Sequence, residues 1–172
     1  MIPPLSNVYD LSDVPDAGAE VVIAPNAGQR TRLAEWAGVD AVEHFEGRIV
    51  LQRRSANRFA YEATIAADVV QSCVVTLEPV HSHLAFNVER LLHLSTRPAA
   101  RRLSNHELAP DPDEGTEEIQ DSRFDLAVPL LEDFALAVDP YPRAPGVVFE
   151  PHVDPKPRET PFAVLKPLKA RK

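Results

Sequence analysis

The chain has 172 residues, a formal net charge of −8, 44% hydrophobic residues and a single cysteine. This length suits one domain with a buried core, and the negative charge argues against unspecific attraction of the whole molecule to nucleic acid or to an anionic membrane. One cysteine excludes an intrachain disulfide framework and a four-cysteine zinc site, so a reducing compartment is expected.

Charge is distributed in blocks along the chain. Residues 28–58 carry six arginines against four acids, and residues 156–172 carry six lysines or arginines against one glutamate. Residues 107–155 carry thirteen acids against two arginines. The basic blocks suit an anionic partner, and the acidic block suits a basic one.

The N-terminal residues do not have the features of a secretory signal. They lack a basic region followed by an apolar run, and nowhere in the chain do about 18 apolar residues follow one another. We therefore expect a cytoplasmic protein without a membrane partner.

The first predicted elements are a strand and a helix. The β-branched run at 19–24 predicts the strand. Asn26 is a favourable N-cap, and Gly38 stands where a helix commonly ends, so the segment between them predicts the helix. Its apolar stripe consists of Leu33, Trp36 and Ala37.

Three long strands are predicted next. Apolar and polar residues alternate along 39–54, and the same period of two continues in the stretch 58–88. We interpret 58–88 as two antiparallel strands joined at a tight turn, Glu78-Pro79, which makes a three-stranded meander with 39–54. The apolar faces are formed by Phe45, Ile49, Leu51, Phe59, Tyr61, Ala63, Ile65, Ala67, Val69, Val80, Leu84, Phe86 and Val88.

Apolar residues are sparse from Ser95 onwards, and prolines and charges replace them. This composition predicts a long, flexible acidic insertion at about 95–123. A second helix is predicted over 124–138, where Asp125 is a possible cap and Pro129 lies in the first turn. Its stripe consists of Leu126, Leu130, Phe134 and either Leu136 or Ala137. Asp139 and the two prolines that follow, Pro140 and Pro142, end it.

These elements predict the α+β class. We expect an antiparallel β-meander sheet or a partly open barrel packed by two helices, within a single domain over 1–150 that includes the acidic insertion. Residues 151–172 form a proline-rich, basic C-terminal tail in which Phe162 and Leu165 are apolar anchors.

Metal-binding and catalytic motifs are incomplete or absent in the sequence. Cys73, His81 and His83 have donor types that zinc accepts, but the cysteine and the histidines fall on opposite strand faces and no fourth ligand is near in sequence. No nucleophile elbow, phosphate-binding loop or dinucleotide-binding glycine motif occurs. We predict no cofactor, no metal and no enzyme. The alternatives are a small-molecule hydrolase or transferase using Asp68 and the histidines, and a purely structural interaction module.

The basic residues include an arginine cluster at a predicted hairpin tip. Arginine presents a fork of donors that suits phosphate, although basic turns are more often plain solvated surface. The candidate contacts with RNA or another partner are Arg30, Arg32, Arg48, Arg53, Arg54, Arg58, Lys166 and Lys169.

Three blocks of sequence resemble one family. They are SCVVTLEPV at 72–80, FDLAVPLLEDFALAVDPYPRAPGVVFE at 124–150 and TPFAVLKPLK at 160–169. Their order and spacing are similar to those of the proteobacterial branch of the YceD family, the large ribosomal RNA subunit accumulation proteins. The positions that carry the resemblance are Cys73, Leu77, Pro79, Asp125, Leu126, Asp139, Pro140, Pro142, Phe162 and Leu165.

The resemblance implies a bacterial cytoplasmic protein that supports the accumulation of 23S ribosomal RNA without established catalytic activity. The partner would be 23S rRNA or a large-subunit ribosomal protein. Members of other branches carry extra cysteines near the position of residues 141–146, and this chain has none there. A metal role is therefore not carried over, and the oligomeric state stays open.

Overall fold

The computed structural model describes residues 3–95 and 116–149. Within these ranges it contains two α-helices, a five-stranded sheet and a two-stranded sheet, which confirms the predicted α+β class. The elements are β1 (Val8–Asp10), a 3-10 helix (Leu11–Asp13), β2 (Ala19–Ile23), α1 (Ala27–Ala37), β3 (Ala41–Ser55), β4 (Arg58–Ser72), β5 (Pro79–Leu94), β6 (Thr116–Ile119), β7 (Arg123–Asp125) and α2 (Ala127–Ala137).

The large sheet has the strand order β2-β3-β4-β5-β6. Its first three pairings are antiparallel, as the meander predicts, and β6 is added parallel to β5. The sheet is not closed into a barrel, and the predicted sheet packed by two helices is confirmed. Alternating burial along β4 places the predicted apolar set inward, from Phe59 to Val69.

Helix α1 begins and ends where its sequence predicts. The Asn26 side chain accepts a hydrogen bond from the Gln29 backbone amide at 3.0 Å, and the Gln29 side chain accepts one from the Asn26 amide at 2.9 Å. Gly38 follows the helix with φ 70°, a left-handed conformation that glycine adopts without a steric penalty. Leu33 and Ala34 are buried in the core, and Trp36 packs beside them.

The connection between β4 and β5 differs from the predicted tight turn at Glu78-Pro79. Strand β4 already ends at Ser72, and a six-residue loop, 73–78, leads to Pro79, the first residue of β5. The Cys73 amide donates to the Glu78 carbonyl at 2.8 Å and so closes the loop. The prediction was wrong because Cys73 and Val75 continue the apolar alternation of β4 beyond its last paired residue. The alternation alone therefore does not show where the strand ends.

The predicted insertion at 95–123 needs correction at its C-terminal end. Strand β6 lies within it, β7 begins at its last residue, Arg123, and Ile119 is buried in the core. Polar sequences form these strands because their partners β5 and β1 supply the backbone hydrogen bonds. Residues 96–115 lie outside the described ranges.

Helix α2 begins three residues after the start of its predicted segment. Leu126 is the N-cap and provides no side-chain hydrogen bond, whereas Asp125 Oδ1 accepts from the backbone amides of Ala127 and Asn7. Of the two alternatives for the last stripe position, Leu136 is wrong, since it is 82% exposed, whereas Ala137 is half-buried. Leu131 joins the stripe because positions 127, 130, 131 and 134 share one helical face.

Helix α2 packs directly on the inward face of the sheet. Leu130 lies over Gly47, where an added Cβ would stand 2.6 Å from Leu130 Cδ1. Phe134 meets Phe45 edge to face, with ring centroids 5.3 Å apart. In the described ranges, no helix combines the length and apolar character needed to cross a membrane.

Candidate functional site

The β4–β5 loop and the segment after α2 meet at one end of the sheet. The Val74 amide donates to the Pro142 carbonyl at 2.9 Å, and the Gln71 side chain donates to the Asp139 carbonyl at 2.8 Å. The structure thus brings together two sequence blocks 68 residues apart, including Cys73, Leu77, Pro79, Asp139, Pro140 and Pro142. Asp125 and Leu126 lie elsewhere, at the start of α2, and Phe162 and Leu165 lie outside the described residues.

Cys73 joins these two segments through its sulfur. The side chain is fully buried, and Sγ accepts hydrogen bonds from the backbone amides of Ala144 at 3.3 Å and Thr76 at 3.5 Å. Hydrogen bonds from the Thr76 side chain and from the amides of Ala144, Thr76 and Val75 lower the pKa of the Cys73 thiol to about 6, against the smaller opposing effect of burial. The sulfur therefore organises the loop as a hydrogen-bond acceptor.

Leu77 has both an unusual backbone and an unusual exposure. Its φ is 63°, the left-handed region that branched side chains rarely adopt, and its side chain is 77% exposed. Strained residues of this kind cluster at functional sites, where a side chain is held in a required position. A large apolar side chain with little burial and a strained backbone is the strongest single indication that this loop contacts a partner.

Replacing Leu77 with glycine is expected to raise the free energy of unfolding by about 0.5 kcal/mol, because relief of the left-handed strain outweighs the small loss of packing. Leu77→Ala retains the Cβ and is expected to give no such gain. Urea unfolding of the two variants beside the parent measures the difference. Equal or lower stability of the glycine variant would contradict a strained Leu77.

Four further apolar side chains lie on the same two segments as Leu77. The chain turns after Ala144, where the Val147 amide donates to the Ala144 carbonyl at 3.2 Å, and Val148 and Phe149 follow this turn. All are between about half and three-quarters exposed. We define the loop patch as Val74, Leu77, Tyr141, Val148 and Phe149.

The predicted catalytic alternative relied on convergence of Asp68, His81 and His83. They lie instead on the open outer face of the sheet, where His83 Nδ1 is 2.6 Å from Asp68 Oδ1 and His81 Nδ1 is 3.6 Å from Glu43 Oε2. All of them are largely solvent-accessible and do not enclose a pocket. Within 3–95 and 116–149, no three acidic, histidine or cysteine side chains are placed to hold a metal ion.

The arginines predicted to contact RNA or another partner are mostly engaged within the protein. Arg48 pairs with Glu20 and, at 3.8 Å, with Glu46. Arg54 lies 3.5 Å from Glu62.

The remaining predicted contacts are spread over two elements and the tail. Arg30 Nη1 donates to the Pro25 carbonyl at 3.1 Å, and Arg32 is exposed on the same helix, α1. Arg58 begins β4, and Lys166 and Lys169 lie outside the described residues. The arginines of α1 and those of the β3–β4 hairpin belong to different elements of the fold.

Arg53 has a structural role that sequence reasoning missed. Its Nη2 donates to the carbonyls of Val14 at 2.9 Å and Ser12 at 3.0 Å, and its guanidinium lies 5.2 Å from the Phe59 ring centroid. These contacts tie the N-terminal segment to β3. Arg53→Ala is therefore an unsuitable test of RNA binding because it also loosens the fold.

Arg90 is a second residue that sequence reasoning missed. It lies on the inward side of β5 and contacts acids of α2 and β6, with Nη2 at 2.8 Å from Asp133 and 3.1 Å from Glu132, and Nη1 at 3.6 Å from Glu117. Burial lowers its pKa, but the hydrogen bond that it donates to Asp133 and the negative charges of Asp133, Glu132 and Glu117 outweigh this and raise the pKa of Arg90. The period of two along β5 places Arg90 on the same face as Val88 and Leu92. This alternation was the sequence signal that could have predicted an inward-facing arginine.

Comparison with family models, with curated proteins and with solved structures finds no match to the chain.

Proposed function

We propose that the protein is a non-catalytic binding factor in the biogenesis of the large ribosomal subunit, and that its folded body binds a basic ribosomal protein. The ribosomal assignment, the bacterial cytoplasmic setting and the support of 23S rRNA accumulation rest on the resemblance to the YceD family. The choice of a protein partner over RNA rests on charge.

The observation that carries this choice is the acidity of the described residues. They contain nine arginines, no lysine and nineteen aspartates and glutamates, a net charge of −10. The outer face of the sheet contributes Glu20, Glu46, Glu62, Asp68 and Glu89.

An acidic surface of this kind favours cationic partners and repels RNA phosphates. The arginines on this face do not reverse its sign, because Arg48 and Arg54 pair with Glu20, Glu46 and Glu62. Large-subunit proteins that bind rRNA need basic surfaces, and an acidic factor would shield such a surface before it meets RNA. A basic ribosomal protein is therefore a better supported partner than RNA.

The test compares capture of proteins extracted from large subunits with capture of purified 23S rRNA, using the full chain. We expect protein capture, weakened about tenfold at low salt by the triple variant Glu46→Gln, Glu62→Gln, Glu89→Gln, because three rim charges each contribute a few tenths to one kcal/mol. The control variant Asp13→Gln, Asp16→Gln, Glu35→Gln removes the same charge from positions off this face and is expected to bind normally.

Two outcomes would contradict the proposal. Capture of 23S rRNA without capture of any ribosomal protein would reject the protein partner, and equal weakening by the control variant would reject the outer face as the site. The cellular role is checked separately by the ratio of 23S to 16S rRNA in cells lacking the protein. An unchanged ratio would reject a role in large-subunit accumulation.

A further inference from the structure

The loop patch is an apolar surface without a cover in the part of the chain that the structure describes. Its five side chains lie on two segments fixed to each other by the Val74–Pro142 and Cys73–Ala144 hydrogen bonds. One of them, Leu77, is held there by a strained backbone. Exposed apolar surfaces of this kind are typical of docking sites, and the charges near the surface indicate which ligand it binds.

Three acidic side chains lie on the patch segments or beside them. Glu78 belongs to the loop, Asp139 to the segment after α2, and Asp40 is joined to the end of β4 by a 2.8 Å hydrogen bond from the Ser72 hydroxyl. All three are exposed, and the two patch segments carry one basic residue, Arg143. The patch therefore suits a ligand with apolar anchors flanked by lysines or arginines.

The chain itself supplies such a ligand directly beside the patch. It continues from Phe149, a patch residue, for 23 residues, and the last seventeen carry six lysines or arginines against Glu159. Within this basic stretch, Phe162 and Leu165 are the apolar anchors. Twelve residues, four of them prolines, lie between Phe149 and Phe162. At about 3.1 Å per residue such a connection reaches at most about 40 Å, which keeps the effective concentration on the order of millimolar.

We propose that the basic C-terminal segment, 156–172, docks on the loop patch of the same molecule. Phe162 and Leu165 contact the apolar side chains, and the lysines and arginines face Asp40, Glu78 and Asp139. This contact is separate from the outer sheet face and does not depend on the ribosomal assignment.

The experiment uses the full ¹⁵N-labelled chain with a nitroxide on Ala170→Cys, a position that keeps all charges of the segment. Cys73 is fully buried, so the label reacts at residue 170. We expect loss of the amide signals of Val74, Leu77 and Tyr141, while that of Asn57 persists, because the fifteen residues of β4 separate the two ends of the sheet. Raised salt is expected to restore the lost signals.

Two variants separate docking from a general effect of the label. Phe162→Ser with Leu165→Ser removes both anchors at constant charge and is expected to restore the patch signals. Leu136→Ser changes an exposed apolar residue on α2, outside the patch, and is expected to leave the loss intact.

Several results would overturn the proposal. Patch signals that persist in the parent chain would show that the segment does not occupy the patch. Equal loss at Asn57 and at the patch would show unspecific contact. Signal loss in ¹⁵N chains mixed with separately spin-labelled ¹⁴N chains would assign the contact to a second copy rather than to the same molecule.

Discussion

Replacing Phe134 with alanine is expected to lower the free energy of unfolding by about 3–5 kcal/mol. Phe134 is fully buried at the centre of the contact between α2 and the sheet, and its ring meets Phe45 edge to face with an interplanar angle of 89°. Removing the ring leaves a cavity beneath a helix that Leu130 and Leu131 hold in place on either side, so the site has little freedom to collapse. Urea denaturation followed by circular dichroism measures the loss.

Leu136→Ala is the matched control for Phe134→Ala. It truncates a large apolar residue two positions further along the same helix, where 82% of the side chain is already exposed. We expect a change within about 0.5 kcal/mol. Similar losses for the two variants would show that α2 does not pack through the face assigned to it.

Replacing Arg90 with methionine is expected to lower the free energy of unfolding by about 2–3 kcal/mol. The arginine is 26% exposed and joins β5 to Asp133, Glu132 and Glu117, so its loss leaves three neighbouring carboxylates without their shared cation. Glu117 Oε2 lies out of reach of solvent, which makes it costly to leave without a counter-charge. The measurement is again urea unfolding at neutral pH.

Arg54→Met provides the control for Arg90→Met because it makes the same substitution in a solvent-exposed ion pair with Glu62. We expect a change within about 0.5 kcal/mol. A double-mutant cycle between Arg90→Met and Asp133→Asn should give a coupling of about 1 kcal/mol or more, since the two groups are in direct contact. Coupling near zero would contradict the contribution of this contact to stability.

The fold was largely accessible from the sequence wherever a local rule applies. Asn26, Gln29 and Gly38 define α1 because a capping box and a left-handed glycine act within a few residues of each other. The alternation from Phe59 to Val69 defines the buried face of β4 because side chains of a strand point alternately to opposite sides. The local rules failed at β6 and β7. Their mostly polar residues form strands only because β5 and β1, which are distant or separate elements, pair with them.

The candidate site was accessible only in part. The sequence singled out Cys73, Leu77 and Asp139 as members of two separate blocks and gave no reason for them to meet. It also assigned Arg53 to a partner, whereas the structure uses its guanidinium to hold carbonyls of the N-terminal segment. The exposure of such a side chain and the charges around it depend on which residues from distant parts of the chain pack against it. Composition does not contain that information.

By itself the sequence determined the helix caps, the inward faces of the long strands and the excess of negative charge, since each depends on residue type and on spacing along the chain. Only the tertiary structure decided that Leu77 projects into solvent from a strained loop, that Arg90 contacts three acids and that residues 139–144 return to Cys73. These features arise from contacts between segments remote in sequence, and their positions are fixed by the packing of the whole core.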